Sequence, residues 1–338
     1  MRRWCSISFL AALALFALAE WMARQFFGEG LAARFEYGFH PTAGFREKSD
    51  GTVQLERTGG RRFIPQTFPR ERPPGTFRLM VVGNSVPYGP GPLEDSFIWL
   101  AAEELRQNGI PAEGINLAIV GQGAMRNQVV LRQALRYQPS LIVLQVDAAL
   151  QRNDEIDQQR RAEYLGWHPR VWPMKSYILR RLYEWRADKV YVDLLPDEIR
   201  ARNNARDLVA DLTSQARTES PAETDARLAR FQATIRESIA LARAQNIPVL
   251  LLTQTFLEPA HPAPATSPLH LTDHGLDAFT RTLVTNGVHA LSMKDVFTPL
   301  PAEKLFADKN HLLKPGHQAV AHAIVQTLQT NRLVNSGR

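Results

Sequence analysis

Ser85 closes the run V-V-G-N-S (81–85), and near the other end of the chain Asp308 and His311 stand three apart in F-A-D-K-N-H (306–311). A serine hydroxyl is a weak nucleophile at neutral pH. It attacks a carbonyl carbon only when an imidazole takes its proton and a third group fixes the tautomer of that imidazole. One tight turn can present both Asp308 and His311, the aspartate accepting from one ring nitrogen while the other faces Ser85. Taken alone, D-x-x-H is also a common turn, in which the aspartate bonds backbone N–H groups and the histidine is solvated. The attack further needs N–H donors where negative charge develops. The Ser85 N–H is one. Gly121, in N-L-A-I-V-G-Q-G (116–123), lets the backbone approach closely and offers a second, although a glycine there equally suits an ordinary strand-to-helix turn.

These groups work together only if the fold gathers them at one edge. The sequence supplies an alternation that does so. Apolar runs at 77–83, 115–121, 141–146, 247–254 and 288–293 read as strands. Helical spacing occupies 96–109, 125–138, 226–246, 274–287 and 315–329. Ser96 and Asp273 are placed as helix caps, and Pro315 sits in a first turn, where its missing N–H costs nothing. Strands alternating with helices of this length imply a mainly parallel sheet covered on both faces. The strand runs lack strict alternation, as strands buried on two sides should. Functional crevices in such sheets lie beyond the carboxyl ends of the strands. Ser85 follows the first strand, and Asp308 and His311 lie between the last strand and the last helix, so all three fall on that edge.

The blocks F-R-L-M-V-V-G-N-S-V-P-Y-G, I-N-L-A-I-V-G-Q-G, L-I-V-L-Q-V and A-D-K-N-H-L-L-K-P-G-H together resemble the SGNH/GDSL hydrolase superfamily, over roughly residues 77–150 and 245–330. The resemblance implies a flavodoxin-like three-layer α/β/α sandwich with a five-stranded sheet. It makes Ser85 both nucleophile and oxyanion donor, Gly121 a second oxyanion donor, and Asp308 and His311 the other members of the triad. It implies ester hydrolysis, deacetylation of sugars or, in some membrane-linked members, acyl transfer, and no metal or organic cofactor. The chain departs from the family pattern twice. G-D-S is G-N-S here, with Asn84 in the aspartate's place. The third strand should end in G-x-N-D, whose asparagine is an oxyanion donor; an ungapped count puts Ala149 there, and Asn153, followed by Asp154, comes four residues later. Asn153 is therefore the candidate for that donor.

The N-terminus reads as a targeting segment. Arg2 and Arg3 precede an uncharged run from Trp4 to Ala19, and Ala17-Leu18-Ala19 fits a cleavage site. The chain stays apolar and aromatic beyond it (W-M-A-R-Q-F-F), which favours an uncleaved signal anchor over a removed signal peptide. Arginines on the near side leave the N-terminus in the cytoplasm and the rest outside. The expected location is thus the inner membrane, single-pass, with the domain in the periplasm. Cys5, the one cysteine, stands at the start of that run rather than after it, which excludes a lipoprotein, and a lone cysteine excludes an internal disulfide framework and a multi-cysteine zinc site.

The organisation expected is a targeting segment at 1–25, an irregular lead-in at 26–75 and one hydrolase-like domain at 76–330, interrupted at about 150–225 by a helical, arginine-rich insertion. Aromatics in the insertion either pack it onto the sheet or form a lid or substrate platform. The net charge of +6 suits an anionic lipid or acidic glycan, but no lysine-rich block or stacked-aromatic pattern points to nucleic acid. His270, Asp273 and His274 have metal-like spacing without a third ligand, and His317 and His322 belong to the last helix. Three readings follow: an extracytoplasmic serine esterase acting on a small-molecule, lipid or glycan ester, an O-acyltransferase for envelope polysaccharide with the same triad, and a non-catalytic binding or scaffold protein on a degenerate hydrolase fold.

Overall fold

The computed structural model describes residues 2–27, 35–89, 91–191, 220–253, 276–298, 300, 304–307 and 310–334. Asp308, His270, Asp273 and His274 lie outside them.

Helix α1 (Arg2–Phe27) begins the chain. Its stretch Ile7–Phe27 has a mean hydropathy of 1.6, is long and apolar enough to cross a membrane, and is not buried against the rest of the protein. The lead-in, expected to be irregular, instead carries strands β1 (Phe45–Glu47), β2 (Thr52–Leu55), β3 (Arg57–Thr58), β4 (Arg61–Arg62) and β5 (Thr67–Pro69). Strands β1, β2 and β5 form an antiparallel sheet. Phe45, Val53, Leu55 and Phe68 join the main core through it, with Phe45 stacked on Tyr137 at 5.5 Å. Strands of two to four residues are too short to show an alternation in sequence.

The main sheet contains β6 (Phe77–Val82), β7 (Ala112–Asn116), β8 (Leu141–Val146), β9 (Val249–Thr253) and β10 (His289–Ser292), in the order β10-β9-β8-β6-β7, with every pair parallel. Helices α2 (Ser85–Tyr88), α3 (Phe97–Gln107), α4 (Ala124–Ala134), α5 (Gln151–Leu165), α6 (Tyr177–Tyr191), α7 (Pro221–Arg243), α8 (Leu276–Val284), α9 (Met293–Phe297) and α10 (Lys314–Thr330) follow in chain order. Alternate strand residues enter two separate cores. Leu79, Val81, Leu141, Val143, Leu250 and Leu252 pack with α3 and α10. Met80, Val82, Ile142, Leu144, Val249 and Leu251 pack with α4, α7 and α8. Both faces of β6, β8 and β9 are therefore apolar, which is why their runs read as continuous. This is the three-layer α/β/α sandwich with a flavodoxin-like strand order.

Two boundaries differ from expectation. The second strand is Ala112–Asn116, earlier than the apolar run at 115–121. Leu117 and Ile119 still run beside β6, donating N–H bonds to the Val81 and Gly83 carbonyls (2.9 and 3.0 Å), but outside the regular strand. Helix α7 starts at Pro221 because Ser220 and Glu223 form a capping box ahead of the amphipathic stretch. The described part of the insertion, residues 150–191, contains α5, a 3-10 turn at Pro169–Lys175 and α6.

Candidate active site

Strand β6 ends at Val82 and the chain turns sharply. Gly83 permits the turn: a Cβ there would lie 2.7 Å from Pro87 and 2.8 Å from Gln145 Oε1. Asn84 is 2% exposed and held on three sides. Its N–H donates to Gln145 Oε1 (3.0 Å), its Nδ2 donates to Asp147 Oδ2 (2.9 Å), and its Oδ1 caps α2 by accepting from the Val86 N–H (2.9 Å). Ser85 is thereby fixed as the first residue of α2, half-buried, at the carboxyl end of the sheet. Strand order reverses between β6 and β8, and the crevice beyond such a point is where ligands bind in open α/β sheets.

His311 reaches this point from the far end of the chain, its Nε2 lying 2.9 Å from Ser85 Oγ. A small clasp carries it. Phe306 bridges Leu312 in antiparallel fashion, the Ala307 N–H donates to the His311 carbonyl (2.7 Å), and the Leu313 N–H donates to the Leu305 carbonyl (2.8 Å). Leu305, Phe306 and Leu312 are buried and root the clasp in the core shared with α3 and α10. Helix α10 begins immediately after it.

Gly121 lies two residues beyond Ile119, the last rung of the ladder just described. The next rung after Ile119 to Gly83 would send the Gly121 N–H to the Ser85 carbonyl. That carbonyl instead accepts from the Gly89 N–H (3.1 Å), because α2 has begun. Gly121 adopts φ +72°, in the left-handed region that favours glycine. Its carbonyl accepts from Arg126 Nη2 (2.7 Å).

Arg126 is itself 4% exposed. Its Nε donates to Asp154 Oδ1 (2.6 Å) and its Nη1 to Asp157 Oδ2 (2.9 Å). Burial works against its charge, but the two carboxylates outweigh burial and raise its pKa. Asp154, fully buried, also accepts from the backbone N–H groups of Gly123 (2.9 Å) and Arg126 (3.0 Å). Asn153, in the same first turn of α5, is exposed. Of the expected oxyanion donors, then, Ser85 and Gly121 lie beyond the carboxyl ends of the neighbouring strands β6 and β7. Asn153 does not join them, because the helix turns Asp154 inward in its place.

Gln145 and Asp147 were not singled out from the sequence, yet they hold Asn84. Two polar residues breaking the end of L-I-V-L-Q-V-D were the available signal. Ala149, where the count placed the family asparagine, lies in a 3-10 turn at Ala148–Leu150. The residue directly beyond β8 is Asp147, the partner of Asn84.

His317 lies on α10, 1% exposed, against Phe97 at a ring separation of 5.7 Å. Its Nδ1 accepts from the Phe97 N–H (3.3 Å). Burial lowers its pKa to about 4, with Asp95 opposing and His311 adding to the shift. His322 is exposed and pairs with Glu104 at 2.9 Å. Among the described residues, no three His, Cys, Asp or Glu side chains gather as a metal site.

No family model and no curated protein matches the sequence. Solved structures are similar to it in fold. A member of the lipolytic protein G-D-S-L family from Veillonella parvula is 10% identical, over 75% of this chain and 98% of that one, at a TM-score of 0.43. A GDSL-like lipase from Bacteroides thetaiotaomicron is 11% identical, over 75% and 88%, at 0.40. An acetylxylan esterase from Geobacillus stearothermophilus, solved as a catalytic mutant, is 12% identical, over 75% and 94%, at 0.46.

Proposed function

We propose that the chain is a serine esterase or deacylase of the SGNH type, held by α1 on the outer side of the inner membrane. The observation that carries this reading is the 2.9 Å contact between Ser85 Oγ and His311 Nε2 at the reversal point of the sheet. That distance suits direct proton transfer.

In this mechanism Ser85 Oγ attacks the ester carbonyl while His311 Nε2 takes its proton. Asp308 orients the ring from its other nitrogen. The negative charge on the carbonyl oxygen is held by the N–H groups of Ser85 and Gly121. As the carbon–oxygen bond to the alcohol breaks, His311 returns the proton to the departing oxygen, leaving an acyl-Ser85 ester. Water, deprotonated by His311, attacks that ester. The acid leaves and Ser85 regains its proton. Transfer to a sugar hydroxyl uses the same steps, with the hydroxyl in place of water. The substrates that fit this chemistry are O-acetyl groups of a glycan or a lipid ester.

The test is hydrolysis of a short-chain acyl ester of a chromogenic alcohol by the detergent-solubilised full chain, beside Ser85→Ala. Turnover lost in the variant is the expected result. Turnover only after a sugar acceptor is added assigns transfer. Equal turnover in both proteins overturns the reading.

A further inference from the structure

Helix α6 buries two charged side chains and exposes three large apolar ones: Arg180 and Glu184 are 5% and 1% exposed, while Leu179, Leu182 and Trp185 are 37%, 54% and 59% exposed. The 3-10 turn ahead of it continues the same character, with Trp172 57% exposed beside Trp167 at 64%. Trp172 Nε1 donates to the Trp167 carbonyl (2.8 Å), so its one polar atom is satisfied while the ring stays outside. The Lys175 ammonium lies over the rings of Tyr164 (3.6 Å) and Trp167 (4.4 Å). A folded chain in water gains by burying such apolar side chains rather than leaving them outside.

The place of this face in the molecule identifies what covers it. Glu20 of α1 caps the start of α6, accepting from Ser176 Oγ (2.9 Å), the Tyr177 N–H (2.5 Å) and the Ile178 N–H (3.1 Å). Arg24 Nη2 donates to the Lys175 carbonyl (2.8 Å), and Arg24 Nε to Glu20 (2.8 Å). The uncharged run Trp4–Ala19 is about 24 Å long at a helical rise of 1.5 Å per residue. A hydrocarbon core of roughly 30 Å therefore ends in the next turn, which is the turn that grips α6. Tryptophan concentrates at that level of a bilayer, apolar body inward and polar edge outward.

We propose that the insertion is a second membrane-contacting element, its face of Trp167, Trp172, Leu179, Leu182 and Trp185 seated in the headgroup region of the bilayer that α1 crosses. This rests on α1 being a retained anchor, and the experiment separates the two. The full chain is reconstituted in vesicles of phosphatidylethanolamine and phosphatidylglycerol. Nitroxide labels are placed singly at Trp172→Cys and Trp185→Cys in a Cys5→Ser background, with Gln329→Cys, exposed on the opposite layer, as the aqueous control. Native Cys5, labelled in the unaltered chain, reports the anchor. The expected result is an oxygen-to-nickel-chelate relaxation ratio several-fold above the control at both insertion positions; a raised ratio at either one suffices if the other variant does not fold. Ratios equal to the control at both, with Cys5 protected by lipid, overturn the proposal and leave the anchor standing. Loss of Cys5 from the membrane-bound chain overturns the anchor, and the proposal with it.

Discussion

The side-chain amide of Asn84 donates to the carboxylate of Asp147 across the ends of β6 and β8, at 2.9 Å. The bond ties the strand ends on either side of the reversal in strand order. Asp147→Asn exchanges a charge-assisted hydrogen bond for a neutral one and should lower the urea-unfolding free energy by about 1 kcal/mol. Asn84→Ala removes the tie and the cap of α2 together. It should lower the urea-unfolding free energy by about 1–3 kcal/mol.

Ser85 and His311 should behave as one unit. Ser85→Ala and His311→Ala are each expected to reduce kcat by roughly 10⁴ or more, and the double variant should be hardly worse than either single one. Losses that multiplied in the double variant would mean that the two side chains act separately.

Arg126 bears on the same site from behind, because it holds the Gly121 carbonyl while buried between Asp154 and Asp157. Arg126→Met leaves buried carboxylate charge without its partner and should cost about 3–5 kcal/mol of stability in urea titration. Its kcat should fall with KM nearly unchanged, since the Gly121 turn is no longer pinned. Arg126→Lys should recover little, because an ammonium cannot fork to three acceptors at once.

His317 predicts a pH signature. Burial holds its folded pKa at about 4 against an ordinary 6.5. The unfolded chain thus binds the extra proton first as pH falls. Stability should drop between pH 6.5 and 4 and level off below. The size expected for such a shift is roughly 3 kcal/mol at most. His317→Asn, which keeps an acceptor for the Phe97 N–H, should lose this component. The difference between the two pH-stability curves isolates it from the other histidines.

The main sheet was legible because long apolar runs with closing glycines announce doubly buried strands. Ser85 was legible as the residue after the first of them. The β1-β2-β5 sheet was not, since its strands are too short to carry a period. Strand β7 was displaced because Leu117–Val120 are buried without being in the regular strand, while its true start contains Glu113, which pairs with the buried Arg78 at 2.5 Å. Asn153 looked like the missing donor because a sequence count cannot tell which side of a helical turn faces inward. The structure gives that side to Asp154. The pairing of Asn84 with Asp147 needed the register of β6 against β8, which no local pattern contains.

The contact between Ser85 and His311 spans 226 residues of chain. Ser85 leaves the ribosome early, behind the apolar N-terminal helix, whereas His311 arrives near the end of synthesis, held by a clasp rooted in the core shared with α3 and α10. A chain cut short before the clasp thus leaves Ser85 without this partner, so the contact is assembled only after the rest of the domain has been made.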